Sequence, residues 1–134
     1  MMNAKNIVMA IGAILVLVGI IGFWNDPVFG IFEVDTLHNL VHLGTGAIMI
    51  WMAMSGMARL SAQIFGVVYG LVAVLGLVLP GDMLLGLLEV NLHDDILHLV
   101  LAIVFLYAGF MMKEKMMMKE AGMSHDMDME NPQM

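Results

Sequence analysis

The chain has 134 residues, 61% of them hydrophobic and 13% charged, with a formal net charge of −7. Soluble domains average about 45–50% apolar residues, so this composition points to a membrane protein and leaves no soluble domain to place. With no cysteine, disulfides, thiolate metal sites and cysteine nucleophiles are excluded.

Residues 1–6 form a short polar start carrying Lys5. The first apolar segment runs from about Ile7 to Trp24. Its length, and its end in Gly22-Phe23-Trp24-Asn25 instead of an Ala-x-Ala-like site, set it apart from a cleaved signal peptide. Trp24 suits an interfacial aromatic belt. Asn25-Asp26-Pro27 stops the helix, because proline lacks an N–H and disfavours a helical residue before it. Val28–Thr36 reads as a mixed loop. The second segment covers about Leu37 to Met57, with Asp35 or Thr36 able to cap its free N–H groups. Ser55 to Ser61 is a tight polar turn. The third segment, about Ala62 to Leu79, ends at the breaker Pro80-Gly81-Asp82. A second loop, Met83–Asn91, leads into the fourth segment, about Leu92 to Met112. Residues 113–134 read as a charged, Met-rich and disordered tail. Segments of about 18–21 residues match a hydrocarbon core of about 30 Å.

Charge distribution predicts orientation. Lys5, Arg59, Lys113, Lys115 and Lys119 all fall on one side of a four-span topology. The opposite side carries Asp26, Glu33, Asp35, Asp82, Glu89, Asp94 and Asp95, and no lysine or arginine. The positive-inside rule then puts both termini and the middle turn in the cytoplasm, and both acidic loops outside the inner membrane.

The two loops repeat one pattern. Gly30, Glu33, Val34 and His42 match Gly86, Glu89, Val90 and His98, and His38 matches His93 after a one-residue slip. This predicts an all-α, four-helix transmembrane bundle made of two tandem duplicated helical hairpins. Gly12, Gly19, Gly22, Gly44 and Gly46, and the GxxxG of Gly66 and Gly70, provide close helix approach inside the bundle or, as the alternative, a dimer face.

His38 and His42 are spaced i, i+4 and share a helix face; Asp94 and His98 do likewise. If the hairpins pack together, His38, His42, Asp94 and His98 converge near the outer surface. Imidazole with carboxylate suits zinc, copper or iron. The same residues also serve as interhelical polar contacts in a bilayer, with the acids capping helix N-termini. Haem held by His42 and His98 is a third reading. In the tail, Met116-Met117-Met118 and Met123-Ser124-His125-Asp126-Met127-Asp128-Met129 read as a solvated segment, or as a soft-metal capture sequence.

The run Gly30-Ile31-Phe32-Glu33-Val34-Asp35-Thr36-Leu37-His38-Asn39-Leu40-Val41-His42-Leu43 resembles the signature of domain of unknown function 4383, a bacterial family of small four-span membrane proteins. Arg59-Leu60, Phe65 to Leu71 and Leu75-Gly76-Leu77 resemble its third span, and Asp94 to Leu99 the start of its fourth. Asp35-Thr36 replaces the polar pair that commonly opens the family's second span. The resemblance covers roughly residues 7–110. It implies the fold and a membrane location, and no activity.

Catalysis has little support. The chain contains no HExxH, Gly-x-Ser-x-Gly or phosphate-binding loop, and Ser55, Ser61 and Ser124 fall on the side opposite the histidines. The cations form no stripe for nucleic acid. No mid-span acid, lysine or arginine marks a proton-coupled transporter. The leading expectation is therefore a non-enzymatic structural or accessory membrane protein without a cofactor. Its partners are the lipid bilayer and a second copy of itself or another membrane protein. The alternative is a transition-metal-binding or metal-handling protein using zinc or copper at His38, His42, Asp94 and His98. A b-type haem electron carrier comes third.

Overall fold

The computed structural model describes residues 2–112; the Met-rich tail lies outside the described residues. Helices α1 (Ala4–Ile21), α2 (Thr36–Met54), α3 (Ala58–Val78) and α4 (Leu92–Leu106, continued by a π-helical turn at Tyr107–Met111) form an all-α bundle. A small hairpin of β1 (Met83–Leu84) and β2 (Leu88–Glu89) lies between α3 and α4.

Caps set where the helices begin. The Asn3 side chain accepts the Asn6 N–H at 2.8 Å and starts α1 at Ala4, ahead of the apolar run. The Asp35 side chain accepts the His38 N–H at 2.6 Å and starts α2 at Thr36. Asn91 and Asp94 form a reciprocal capping box at the start of α4: each side chain accepts the other's backbone N–H, at 3.0 and 2.9 Å. The turn into α3 shrinks to Ser55–Met57, with Gly56 at φ +80°, so Arg59 and Ser61 belong to the helix.

All four helical segments are long and apolar enough to cross a membrane. At about 1.5 Å per residue, 18 to 21 residues reach about 27–32 Å. Their outer faces carry exposed Leu17, Leu71, Ile103 and many similar side chains, a surface a water-soluble monomer would not present. The chain is thus a multi-pass membrane protein.

Packing runs hairpin by hairpin, α1 on α2 and α3 on α4. Small residues let the backbones meet. A Cβ on Gly46 would lie 2.6 Å from the Gly12 carbonyl oxygen, and one on Gly66 would lie 2.9 Å from the Leu106 side chain. The GxxxG of α3 therefore faces α4, inside the bundle. Val8, Met49, Ala62, Phe105 and Ala108 are fully buried and join the hairpins into one apolar core.

The two loops at the far end take the same shape. Val28 bridges Phe32 across Phe29 and Gly30 (φ +53° and +75°), and Leu84 pairs Leu88 across Leu85 and Gly86 (φ +53° and +72°). Gly30 and Gly86 sit where a side chain is disfavoured, which explains why glycine recurs there. Helix capping fixes the register beyond the loops. Asp35 corresponds to Asn91, so His38 corresponds to Asp94, not to His93. The one-residue slip suggested by the histidines alone does not occur, because each cap ties the residue three positions on.

Candidate metal centre

Most of the buried polar side chains among the described residues collect near the loop end, where α2 and α4 begin. His38 and His42 lie one turn apart on α2 and point inward, 2% and 7% exposed; His98 of α4 meets them at 3%. The ring centroids are 4.5 Å apart for His38–His42, 5.8 Å for His38–His98 and 6.1 Å for His42–His98. One ring nitrogen from each lies within 4.8 Å of the other two. Two imidazole nitrogens on one zinc ion, at about 2.0–2.1 Å, stand roughly 3.3 Å apart. A shared ion therefore requires the nitrogens to draw closer than the observed bound of 4.8 Å.

Hydrogen bonding assigns the nitrogens. His38 Nδ1 lies 2.8 Å from the Glu89 carbonyl oxygen. A carbonyl only accepts, so Nδ1 carries the proton and Nε2 keeps its lone pair. This is the carbonyl-oriented imidazole common behind metal ligands. The Nδ1 atoms of His42 and His98 are buried with no hydrogen-bond partner. Buried polar atoms are normally paired; Asn39 Oδ1, Asp95 Oδ1 and Ser61 Oγ are likewise buried without a hydrogen-bond partner.

The fourth predicted residue behaves differently. Asp94 is buried and next to the cluster in sequence, but its carboxyl is engaged in the capping box with Asn91. It stays out of the three-histidine group. His93 is exposed and belongs to neither.

A pocket of about 40 Å³ adjoins the histidines, and Thr45, Val68 and Tyr69 help line it. Tyr69 stacks obliquely on His98 with ring centroids 5.4 Å apart. Its hydroxyl lies 3.3 Å from Thr45 Oγ1, which itself donates to the Val41 carbonyl at 2.7 Å. Sequence reasoning missed Tyr69 and Thr45. The available signal was a phenol and a hydroxyl inside otherwise apolar spans, and the GxxxG around Tyr69 drew attention to its glycines instead.

The same end is also a mechanical joint between the hairpins. Asp35 caps α2 with one carboxylate oxygen and accepts the Glu89 N–H with the other at 3.0 Å. His38 takes the Glu89 carbonyl, and Asn91 Nδ2 donates to the Ile31 carbonyl at 2.7 Å. Glu89 is thus gripped at both backbone groups by the opposite hairpin. Deeper in each hairpin, Asn39 fills the space a Cβ on Gly22 would need, and Asp95 does the same at Gly76.

At the other end, Arg59 Nε and Gln63 Nε2 donate to the Gly109 carbonyl at 3.3 and 2.9 Å, beside the π-helical turn. Ser61 lies on this end, in the first turn of α3, remote from the histidines.

Neither a curated protein nor a solved structure gives a significant match to the chain. The family model described as domain of unknown function (DUF4383) matches residues 5–111, nearly the whole described bundle. The chain therefore belongs to the DUF4383 family.

Proposed function

We propose that this protein is a non-enzymatic membrane protein that binds one transition-metal ion, zinc or copper, between its two hairpins through His38, His42 and His98. The observation that carries the reading is the convergence of three buried imidazoles whose ligand nitrogens lie within 4.8 Å of one another. Two of those rings hold an unpartnered buried Nδ1, and the third is oriented by a backbone carbonyl. Neutral nitrogen donors suit zinc and copper better than hard cations. The adjoining space of about 40 Å³ suits an ion and a small ligand, not a porphyrin. Asp94 takes no part, since its capping bonds hold it away.

The charge pattern supports an orientation with the histidine end outside the cytoplasm. Lys5 and Arg59 lie at the turn end of the bundle, and the acidic loop residues lie at the other.

A second reading is favoured by the grip on Glu89. On it, the polar cluster is an interhelical lock and holds no ion. Interhelical hydrogen bonds in bilayers are worth about 0.6 kcal/mol each, and several act together here.

Elemental analysis separates the two. After exposure to zinc or copper and removal of excess, protein in mild detergent is expected to retain about one ion per chain. His42→Ala/His98→Ala should lose it, and His93→Ala should keep it. Metal-free wild-type protein, or equal retention by the double variant, would leave the lock as the function of the cluster.

A further inference from the structure

We propose that the site keeps one coordination position open for a small exogenous oxygen- or nitrogen-donor ligand, and that Tyr69 orients that ligand. This rests on the metal-binding reading above. The chain supplies three nitrogens, and Asp94, the nearest predicted fourth donor, is committed to the Asn91 amide. Protein zinc sites with four protein ligands are closed and structural, while sites with three leave a position for water or another ligand.

The open side is identifiable. The pocket is lined by the three histidines together with Thr45, Val68 and Tyr69. Its volume of about 40 Å³ exceeds the roughly 10–15 Å³ needed to seat a water molecule. It is therefore sized for water, hydroxide or a small linear anion. The rest of the wall is apolar, formed by Val41, Val68, Val72 and Leu88, of which Val41 and Val68 are themselves exposed.

The hydroxyl groups determine how such a ligand is held. Thr45 has one proton, and it goes to the Val41 carbonyl at 2.7 Å. Thr45 Oγ1 is then an acceptor for the Tyr69 O–H, at a long 3.3 Å. That weak bond is easily exchanged for a stronger one to an anion on the metal. Alternatively it persists, and the phenol oxygen accepts a hydrogen bond from metal-bound water. Either arrangement holds the ligand on the Tyr69 side. Tyr69 is a positioning residue and not itself a metal ligand.

The test uses full-length protein loaded with copper(II) in mild detergent and titrated with azide. Metal content, visible absorption and electron paramagnetic resonance are recorded for the wild type and Tyr69→Phe. Azide should change the wild-type copper spectrum saturably. Tyr69→Phe should retain the same copper content and bind azide about tenfold more weakly, the loss expected for one hydrogen bond to a charged ligand. A variant that merely destabilised the bundle would lose copper as well. Bound copper with a spectrum indifferent to azide would overturn the open position. Equal azide affinity in both proteins would overturn the role of Tyr69. Failure of the wild type to bind copper or zinc would instead remove the three-histidine reading, and this inference with it.

Discussion

Removing the Asp35 carboxylate tests how the two hairpins are joined. One oxygen caps α2 through the His38 N–H at 2.6 Å, and the other accepts the Glu89 N–H at 3.0 Å from the opposite hairpin. Asp35→Ala removes both. Loss of an N-cap costs about 1 kcal/mol. A part-buried amide that loses a charged acceptor costs about 1–2 kcal/mol, the lower end applying because water reaches this loop. The expected destabilisation is therefore about 2–3 kcal/mol. Asp35→Asn is the informative comparison. Asparagine caps about as well as aspartate, but its single carbonyl oxygen serves one of the two amides and its NH₂ opposes the other. It should lose about 1 kcal/mol. Equilibrium unfolding in mixed detergent micelles, followed by circular dichroism, provides the values. Asp35→Ala within about 0.5 kcal/mol of the wild type, or Asp35→Asn as unstable as Asp35→Ala, would refute the double role assigned to this carboxylate.

The metal content of His42→Ala/His98→Ala and the azide response of Tyr69→Phe are the direct tests of the site. Two further outcomes follow from the fold. Gly46→Ala should destabilise by about 1–3 kcal/mol, because the new methyl meets the backbone of α1 at the Gly12 carbonyl. Gly44→Ala, two positions away with nothing within 4 Å of a Cβ, should stay within about 0.5 kcal/mol of the wild type or gain from alanine's helix propensity; equal effects in the same unfolding assay would contradict the crossing. Orientation is read by labelling single cysteines introduced into this cysteine-free chain. A membrane-impermeant thiol reagent applied to intact cells should label Glu33→Cys and spare Ser55→Cys, and the reverse pattern would invert the topology.

The sequence by itself determined the number of spans and their apolar character, since a bilayer demands about 20 apolar residues per helix whatever surrounds them. It narrowed the cap of α2 to Asp35 or Thr36 because capping is local, involving side chain and amide three residues apart, and the structure selects Asp35. It placed His38 and His42 on one face for the same reason, as helical periodicity is local too. Tertiary structure decided what no local rule carries. His98 joins that face because α4 packs across the bundle to bring it there. Asp94 shares a helical face with His98 but is taken by the capping box, a competition visible only once Asn91 is known to be the cap. Tyr69 comes from a third helix and reaches the histidines only through the meeting of the hairpins. Glu89 looked like a surface acid, and its contribution is its backbone, held at both groups by Asp35 and His38. Side chains that meet across helices depend on crossing points set by small residues such as Gly12, Gly46 and Gly66. Those contacts bring together residues far apart in the chain, and periodicity along one helix does not encode them.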